Sequence, residues 1–192
     1  MIARRSFAAF VIASVPFTTL TACSKKDAPT DAPVRASAPA RSELLAVGDM
    51  APDFDAVAHD GSAVKLSALR GKSVILYFYP KDGTPGCTVE AQKLRDEKAA
   101  LDAASAVVLG VSTDDNAAHR QFAQDQGLPF LLLPDTERSL ADAYGVGSTM
   151  GMSKRVTFLI APDGKIARVY PNVNPEDHAD ELLRDLNELA KK

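Results

Sequence analysis

One cysteine, Cys87, follows a turn rich in glycine and proline and precedes a stretch of helix-forming residues. This order places a thiol at the N-terminus of a predicted helix, where oriented backbone N–H groups and the partial positive charge of the helix favour a thiolate. Pro85 and Gly86 suit such a start, because proline pre-sets φ and glycine lets the backbone approach a ligand closely. The thiolate is the nucleophilic form of cysteine, so the segment predicts a reactive sulfur.

Three residues could act with this thiol. Thr84 lies three residues earlier, and its hydroxyl can both donate to and accept from a small polar substrate, or merely stabilise the turn. Glu90 follows Cys87 by one helical turn, and a carboxylate there opposes a thiolate unless a cation pairs with it. The best-placed cation is Arg155, at the head of a predicted strand, although a residue there could also cap the strand at the surface.

Alternating apolar and helix-forming segments must position these residues. Residues 73–79 form a continuous apolar run typical of a strand buried on both faces. Further strands are predicted at 107–111, 130–133, 155–161 and 166–170, and helices at 88–104, 117–126, 137–144 and 175–190. Short strands or turns are expected over residues 48–69. The order predicts an α/β thioredoxin-like fold, with a mixed central sheet flanked by helices and an N-terminal β extension.

The first residues read as an export signal, with Arg4-Arg5 followed by a short apolar core. The sequence before and at Cys23 resembles a bacterial lipobox, in which the cysteine is lipidated; an ordinary signal peptide is the alternative. We expect a lipoprotein signal peptide at 1–22, a lipidated flexible Ala/Pro-rich tether at 23–43 and one domain at 44–192. By resemblance to Gram-negative lipoproteins, Ser24 favours the periplasmic face of the outer membrane. Arg4-Arg5 leaves Sec and twin-arginine export both open.

The composition excludes several classes of protein. Hydrophobic residues make up 46% and charged residues 24% of the 192 residues, which is ordinary for a globular chain. The net charge is −3, and no basic cluster points to nucleic acid. His59, His119 and His178 share no ligand spacing, so we expect solvated surface residues and no metal site. Asp114-Asp115 is expected to open a helix.

The segment around the thiol is similar to the peroxiredoxin active-site motif, Pro80-x-x-x-Thr84-x-x-Cys87. Residues 77–91 as a whole resemble the bacterioferritin comigratory protein/peroxiredoxin Q subfamily. Supporting matches are Gly48-Asp49-x-Ala51-Pro52-x-Phe54, Gly110-Val111-Ser112-Thr113-Asp114 and the segment from Arg155 to Ile166. The resemblance covers roughly residues 44–190, the whole globular part.

This resemblance implies a thiol-dependent peroxidase for hydrogen peroxide and organic hydroperoxides, with Cys87 as the peroxidatic nucleophile and no cofactor. Thr84 and the Cys87 backbone N–H would bind the peroxide, Arg155 would stabilise the developing charge, Pro80 would shield the pocket and Glu90 would orient the arginine. Cys87 would become a sulfenic acid. Many members carry a resolving cysteine five residues later, but this chain has Gln92 there.

The missing cysteine implies a one-cysteine enzyme whose sulfenic acid is reduced by an external thiol, either a thioredoxin-like protein or a small molecule. Such a protein would act in antioxidant defence of the cell envelope, as a monomer or weak dimer. The main alternative is a periplasmic thioredoxin-like thiol–disulfide oxidoreductase, which normally needs a second nearby thiol. A copper-carrying assembly factor would need two cysteines and a histidine, and a non-catalytic binding module would not need Thr84, Cys87 and Arg155.

Overall fold

The computed structural model describes residues 34–191. Its strands are β1 (Arg35–Ala36), β2 (Phe54–Val57), β3 (Ala63–Lys65), β4 (Ser73–Phe78), β5 (Ala106–Ser112), β6 (Leu131–Pro134), β7 (Ser148–Thr149), β8 (Met152–Ser153), β9 (Val156–Ile160) and β10 (Ile166–Tyr170). Its α-helices are α1 (Pro85–Asp96), α2 (Lys98–Ala103), α3 (Asn116–Gln126), α4 (Ser139–Ala143) and α5 (His178–Leu189). None of these helices is long and apolar enough to cross a membrane.

Five strands form the central sheet, in the order β10-β9-β4-β5-β6. β4, β5 and β6 run parallel, whereas β9 is antiparallel to both β4 and β10. Every residue of β4 is buried, as its continuous apolar run predicts for a strand at the centre of a sheet covered on both faces. The mixed, helix-flanked, thioredoxin-like sheet expected from the sequence is therefore confirmed.

Alternate residues of β4 serve two separate cores. Ile75 and Tyr77 pack on the face that α1, α2, α3 and α5 cover, and Cys87 belongs to that cluster. Val74, Leu76 and Phe78 pack on the opposite face against α4 and the N-terminal strands. The period-2 alternation of strand side chains produces this division.

The expected boundary at residue 44 lies too late in the chain. Val34 is 2% exposed, and its backbone N–H donates to the Pro134 carbonyl at 3.2 Å. β1 then pairs with β2 to complete the three-stranded sheet β1-β2-β3, which is the N-terminal β extension. The earlier part of the expected tether, the signal peptide and Cys23 lie outside the described residues.

Gly145 shows how closely this N-terminal segment packs. Its φ is +71°, and a Cβ there would lie 1.8 Å from the carbonyl oxygen of Glu43. The Glu43 carbonyl is a backbone group and cannot move aside as a flexible side chain could, so position 145 requires glycine. Leu45 also donates its backbone N–H to the Tyr144 carbonyl, at 3.3 Å. The segment is therefore part of the folded domain.

The single helix expected at 88–104 is two helices. α1 starts earlier, at Pro85, and ends at Asp96, while α2 follows after Glu97, whose φ is −89° and ψ is 7°. Leu94 in α1 and Leu101 in α2 are both fully buried in the same core, so the break lets each helix present its own apolar side. α3 begins as expected, because the Asp115 carboxylate accepts from the Ala118 N–H at 2.9 Å.

Candidate functional site

The thiol of Cys87 sits in the first turn of α1, which begins as soon as the chain leaves β4 through the turn of residues 80–84. Thr84 precedes the helix with φ −75° and ψ 149°, and Pro85 is the first helical residue. Cys87 is 1% exposed. The backbone N–H groups of this first turn have no partner within the helix, so they are available to a ligand beside the sulfur.

Arg155, immediately before β9, reaches the sulfur. Its Nη2 donates to Cys87 Sγ at 3.1 Å, and its Nη1 donates to Glu90 Oε2. Burial works against the charge of Arg155, but Glu90 and Cys87 outweigh that effect and raise the pKa of the guanidinium. The cation expected from the Cys87–Glu90 spacing is therefore present, and one guanidinium contacts both groups.

Glu90 lies wholly in the interior, at 0% exposure. Burial raises the pKa of its carboxyl from 4.5 to about 7, although Arg155 opposes the rise. Oε1 has no hydrogen-bond partner among the described residues, and neither has the buried hydroxyl of Tyr77. Burial also raises the pKa of Tyr77, and negative charge on Glu90 adds to the effect. The site therefore contains a carboxyl that can exchange a proton near neutral pH.

Glutamine at position 90 is expected to remove a pH dependence of the free energy of unfolding. The folded carboxyl binds its proton more tightly than the unfolded one, so its contribution is complete below pH 4.5 and lost as pH rises through about 7. Between pH 5 and pH 8, the wild type should lose about 2 kcal/mol more stability than Glu90→Gln. Urea unfolding at both pH values measures this, with the exposed Glu176→Gln as control; parallel pH curves for wild type and Glu90→Gln would contradict it.

Thr84 and Pro80 border the same turn, and both are partly exposed. The Thr84 hydroxyl donates to the Lys81 carbonyl at 3.1 Å. Because that bond uses its proton, the oxygen's lone pairs remain available to accept a hydrogen bond from a substrate hydroxyl. The Thr84 hydroxyl therefore stabilises the turn and keeps its lone pairs free to accept a hydrogen bond.

Gln92, at the position where a resolving cysteine would stand, holds α1 against α3. Its Nε2 donates to Gln126 Oε1 at 2.8 Å, and Arg95 Nη1 donates to the Gln126 carbonyl at 2.7 Å. Cys87 is the one cysteine among residues 34–191, and it is not in a disulfide. No thiol within that part of the chain can therefore form an intramolecular disulfide with Cys87.

The expectation of three solvated histidines is wrong for two of them. His119 is fully buried and contacts Asp82 Oδ2 through Nδ1 at 2.7 Å. His178 is 1% exposed, with Nε2 at 2.9 Å from the Thr157 hydroxyl. Polar sequence neighbours suggested a surface position, but the groups that bury these rings are distant in sequence. The sequence does carry a signal of burial, because each histidine is spaced to fall on the same face of its helix as the apolar residues.

A cleft of about 510 Å³ is lined in part by Arg155. Its other lining residues are Lys154, Pro171, Asn172, Val173 and Asn174. Arg155 thus links this cleft to the buried sulfur. A more apolar pocket of about 330 Å³ lies against the sheet β1-β2-β3 and shares no lining residue with the thiol site. The site is therefore located by the chemistry of its residues and not by the shape of a pocket. Residues 34–191 contain no group of three metal-ligating side chains.

Known proteins resemble this chain in sequence and structure. The family model described as AhpC/TSA family matches residues 47–169. The chain is 40% identical to peroxiredoxin Bcp of Bacillus subtilis over 77% of this chain and 99% of that protein. It is also 40% identical to peroxiredoxin Bcp of Escherichia coli K12, over 76% and 98% of the two chains.

Solved structures agree with these relatives. The crystal structure of PrxQ from Xylella fastidiosa superimposes with a TM-score of 0.72 and 30% identity, covering 77% of this chain and 99% of that one. Peroxidoxin BcpB from Mycobacterium tuberculosis gives a TM-score of 0.70 and 32% identity, covering 76% and 98%. The chain therefore belongs to the AhpC/TSA family, in its Bcp/peroxiredoxin Q group, and is a peroxidase.

Proposed function

We propose that Cys87 is the peroxidatic nucleophile of this peroxidase and that it turns over as a one-cysteine enzyme. The observation that carries the proposal is the hydrogen bond from Arg155 Nη2 to Cys87 Sγ at 3.1 Å, because it pairs a buried sulfur with a permanent cation. The substrates are hydrogen peroxide and organic hydroperoxides. Thr84 accepts a hydrogen bond from the hydroxyl of the substrate, and the Cys87 backbone N–H donates one to it.

In the first step, the thiolate attacks the terminal oxygen of the hydroperoxide. An S–O bond forms, the O–O bond breaks, and the leaving alkoxide takes up a proton to become an alcohol, or water when the substrate is hydrogen peroxide. Arg155 stabilises the charge that develops on the departing oxygen, an electrostatic role worth about 10²–10³-fold in rate. Glu90 fixes the guanidinium, and Pro80 shields the pocket.

In the second step, an external thiol attacks the sulfenic sulfur of Cys87 and releases water. A second external thiol then attacks the mixed disulfide, which returns Cys87 to the thiol and leaves the reductant as a disulfide. Two thiols thus supply the two electrons that the peroxide receives. Gln92 and the lack of another cysteine in residues 34–191 support this route. They also count against the thiol–disulfide oxidoreductase, which needs a thiol pair.

One equivalent of peroxide is expected to leave a sulfenic acid on Cys87 and no intramolecular disulfide. Dimedone should label the peptide that contains Cys87, and excess peroxide without reductant should convert that residue to sulfinic acid. Peptide mass spectrometry under non-reducing conditions follows both products. A disulfide between Cys87 and Cys23 in the mature protein would contradict the one-cysteine route, and absence of any oxidised Cys87 would contradict its role as nucleophile.

We also propose, from the leader sequence, that the protein is exported and anchored by a lipid on Cys23 at the periplasmic face of the outer membrane, where it protects the cell envelope from peroxides. The expected result is that Cys23→Ala remains uncleaved and is not labelled by radioactive palmitate. The wild type should be labelled and should fractionate with the outer membrane. Release of unlabelled wild-type protein as a free periplasmic species would overturn the proposed anchor.

A further inference from the structure

Asp82 fixes the turn of residues 80–84 to the rest of the domain. This turn connects β4 to the helix that carries the thiol. The Tyr79 hydroxyl donates to Asp82 Oδ1 at 2.7 Å, and His119 Nδ1 lies 2.7 Å from Asp82 Oδ2. The Asp82 backbone N–H donates to Asp114 Oδ2 at 2.9 Å. Tyr79, which follows β4, a histidine of α3 and Asp114 from the connection between β5 and α3 therefore converge on one residue of the turn.

His119 meets an oxygen at each ring nitrogen. Besides the Asp82 contact, its Nε2 lies 3.2 Å from the Leu133 backbone carbonyl. A carboxylate and a peptide carbonyl both accept hydrogen bonds and cannot donate, so both contacts are satisfied only when both nitrogens carry protons. The ring is fully buried, while the Asp82 side chain is 9% exposed. A histidine cation beside a carboxylate satisfies each polar atom of the pair.

The other two histidines have different surroundings. His59 Nδ1 accepts from the Leu132 backbone N–H at 3.1 Å, so that nitrogen carries no proton. His178 Nε2 faces the Thr157 hydroxyl, which can donate, and burial lowers the pKa of both rings. The titratable and charged groups near His119 from other parts of the fold are Tyr79, Asp82, Asp114 and His59. On its own helix they are Arg120 and the N-cap Asp115.

We infer that His119 is a positioning residue of the peroxidase, held as an imidazolium that fixes the turn of residues 80–84 through Asp82. The turn carries Pro80 and Thr84, so the cation sets where these two residues stand relative to the sulfur. This inference rests on the proposed role of Cys87 for its effect on rate. The charge state of the ring does not depend on that role, because it follows from the contacts of His119 alone.

Nitrogen-15 NMR of the labelled full-length chain at pH 7 tests the charge state. Both ring nitrogens of His119 should be protonated, whereas Nδ1 of His59 should be unprotonated in the same spectrum. His59→Asn, His119→Asn and His178→Asn assign the signals. A neutral His119 ring would overturn the inference, whatever the enzyme's activity. If His119 is an imidazolium but the protein does not consume peroxide, the inferred charge state stands and the proposed function is wrong.

Kinetics test the positioning. Asparagine keeps a donor near the place of Nδ1 but carries no charge and loses the bond to Leu133. His119→Asn should lower kcat/KM for peroxide about tenfold, a smaller effect than the roughly 10²-fold loss that a misplacement of a reacting group by about 1 Å can cause. Iodoacetamide alkylation of Cys87, followed on its own peptide, should stay within about twofold, because the contact with Arg155 is unchanged. His59→Asn is the matched control and should change neither rate.

Two outcomes would overturn the positioning role. Unchanged peroxide kinetics in His119→Asn would show that the turn does not need the cation. Equal losses in peroxide reduction and alkylation would show that the substitution disturbs the thiol itself. If His119→Asn does not fold, Asp82→Asn replaces it, because this partly exposed side chain can lose its charge while keeping an oxygen for Tyr79; the same two comparisons then apply.

Discussion

Serine in place of Cys87 is expected to lower the rate of peroxide consumption by roughly 10³-fold or more. A serine hydroxyl is not ionised near neutral pH, and oxygen cannot store the oxidising equivalent as sulfur does in a sulfenic acid. The fold should remain, because serine is nearly the same size and its oxygen can accept from Arg155 Nη2 in place of Sγ. Stability is therefore expected to change by only about 1 kcal/mol.

The measurement is steady-state peroxide consumption with dithiothreitol as reductant, alongside circular dichroism and urea unfolding. Cys23→Ser is the matched control and should retain the wild-type rate, since a reductant is supplied and that cysteine has no part in the proposed cycle. Equal rates for Cys87→Ser and wild type would remove Cys87 from the chemistry. Any peroxidase activity of this chain would then need a nucleophile other than Cys87.

Methionine in place of Arg155 is expected to reduce both activity and stability. The loss of the donor to Sγ should lower kcat/KM for peroxide by about 10²–10³-fold. The change also leaves the fully buried Glu90 carboxyl without its cation, at a cost of about 3 kcal/mol at pH 8. At pH 5 that penalty should shrink, because burial favours the protonated form of Glu90, which carries no charge.

Two further variants separate these effects. Arg168→Met also removes an arginine paired with carboxylates, but Arg168 is 33% exposed, so its loss should change stability by less than about 1 kcal/mol and leave activity intact. Arg155→Met combined with Glu90→Gln removes the unpaired charge and should regain stability without regaining activity. Recovery of peroxide reduction in the double variant would show that Arg155 acts only by neutralising Glu90.

The local chemistry of the site could be predicted because it lies in short sequence patterns. Pro85 and Gly86 indicate a helix start beside the thiol, although α1 begins three residues before the expected position 88. The pairing of Glu90 with an arginine follows from placing a carboxylate one turn from a thiol. β4 was equally predictable, since burial on both faces makes a continuous apolar run. Fold and family follow from these signals together with the order of the elements.

The network beneath the turn could not be predicted, because its members are far apart in sequence. His119 is separated from Asp82 by 37 residues, and its second contact is a backbone carbonyl, which leaves no trace in the sequence. β1 was missed for a related reason. It has two residues, too few for a periodic pattern, and it exists because the edge of β2 is there to pair with it.

The two faces of the central sheet also determine how the domain is presented to its surroundings. Val34, where the described chain enters the domain, packs with the cluster that contains Leu76, whereas Cys87 packs with the cluster that contains Tyr77. Val34 and the reactive sulfur thus lie on opposite faces of one sheet. In the proposed lipid-anchored protein, the thiol would lie on the face of the sheet away from Val34, so peroxide and a reducing protein would approach from the side opposite the attachment.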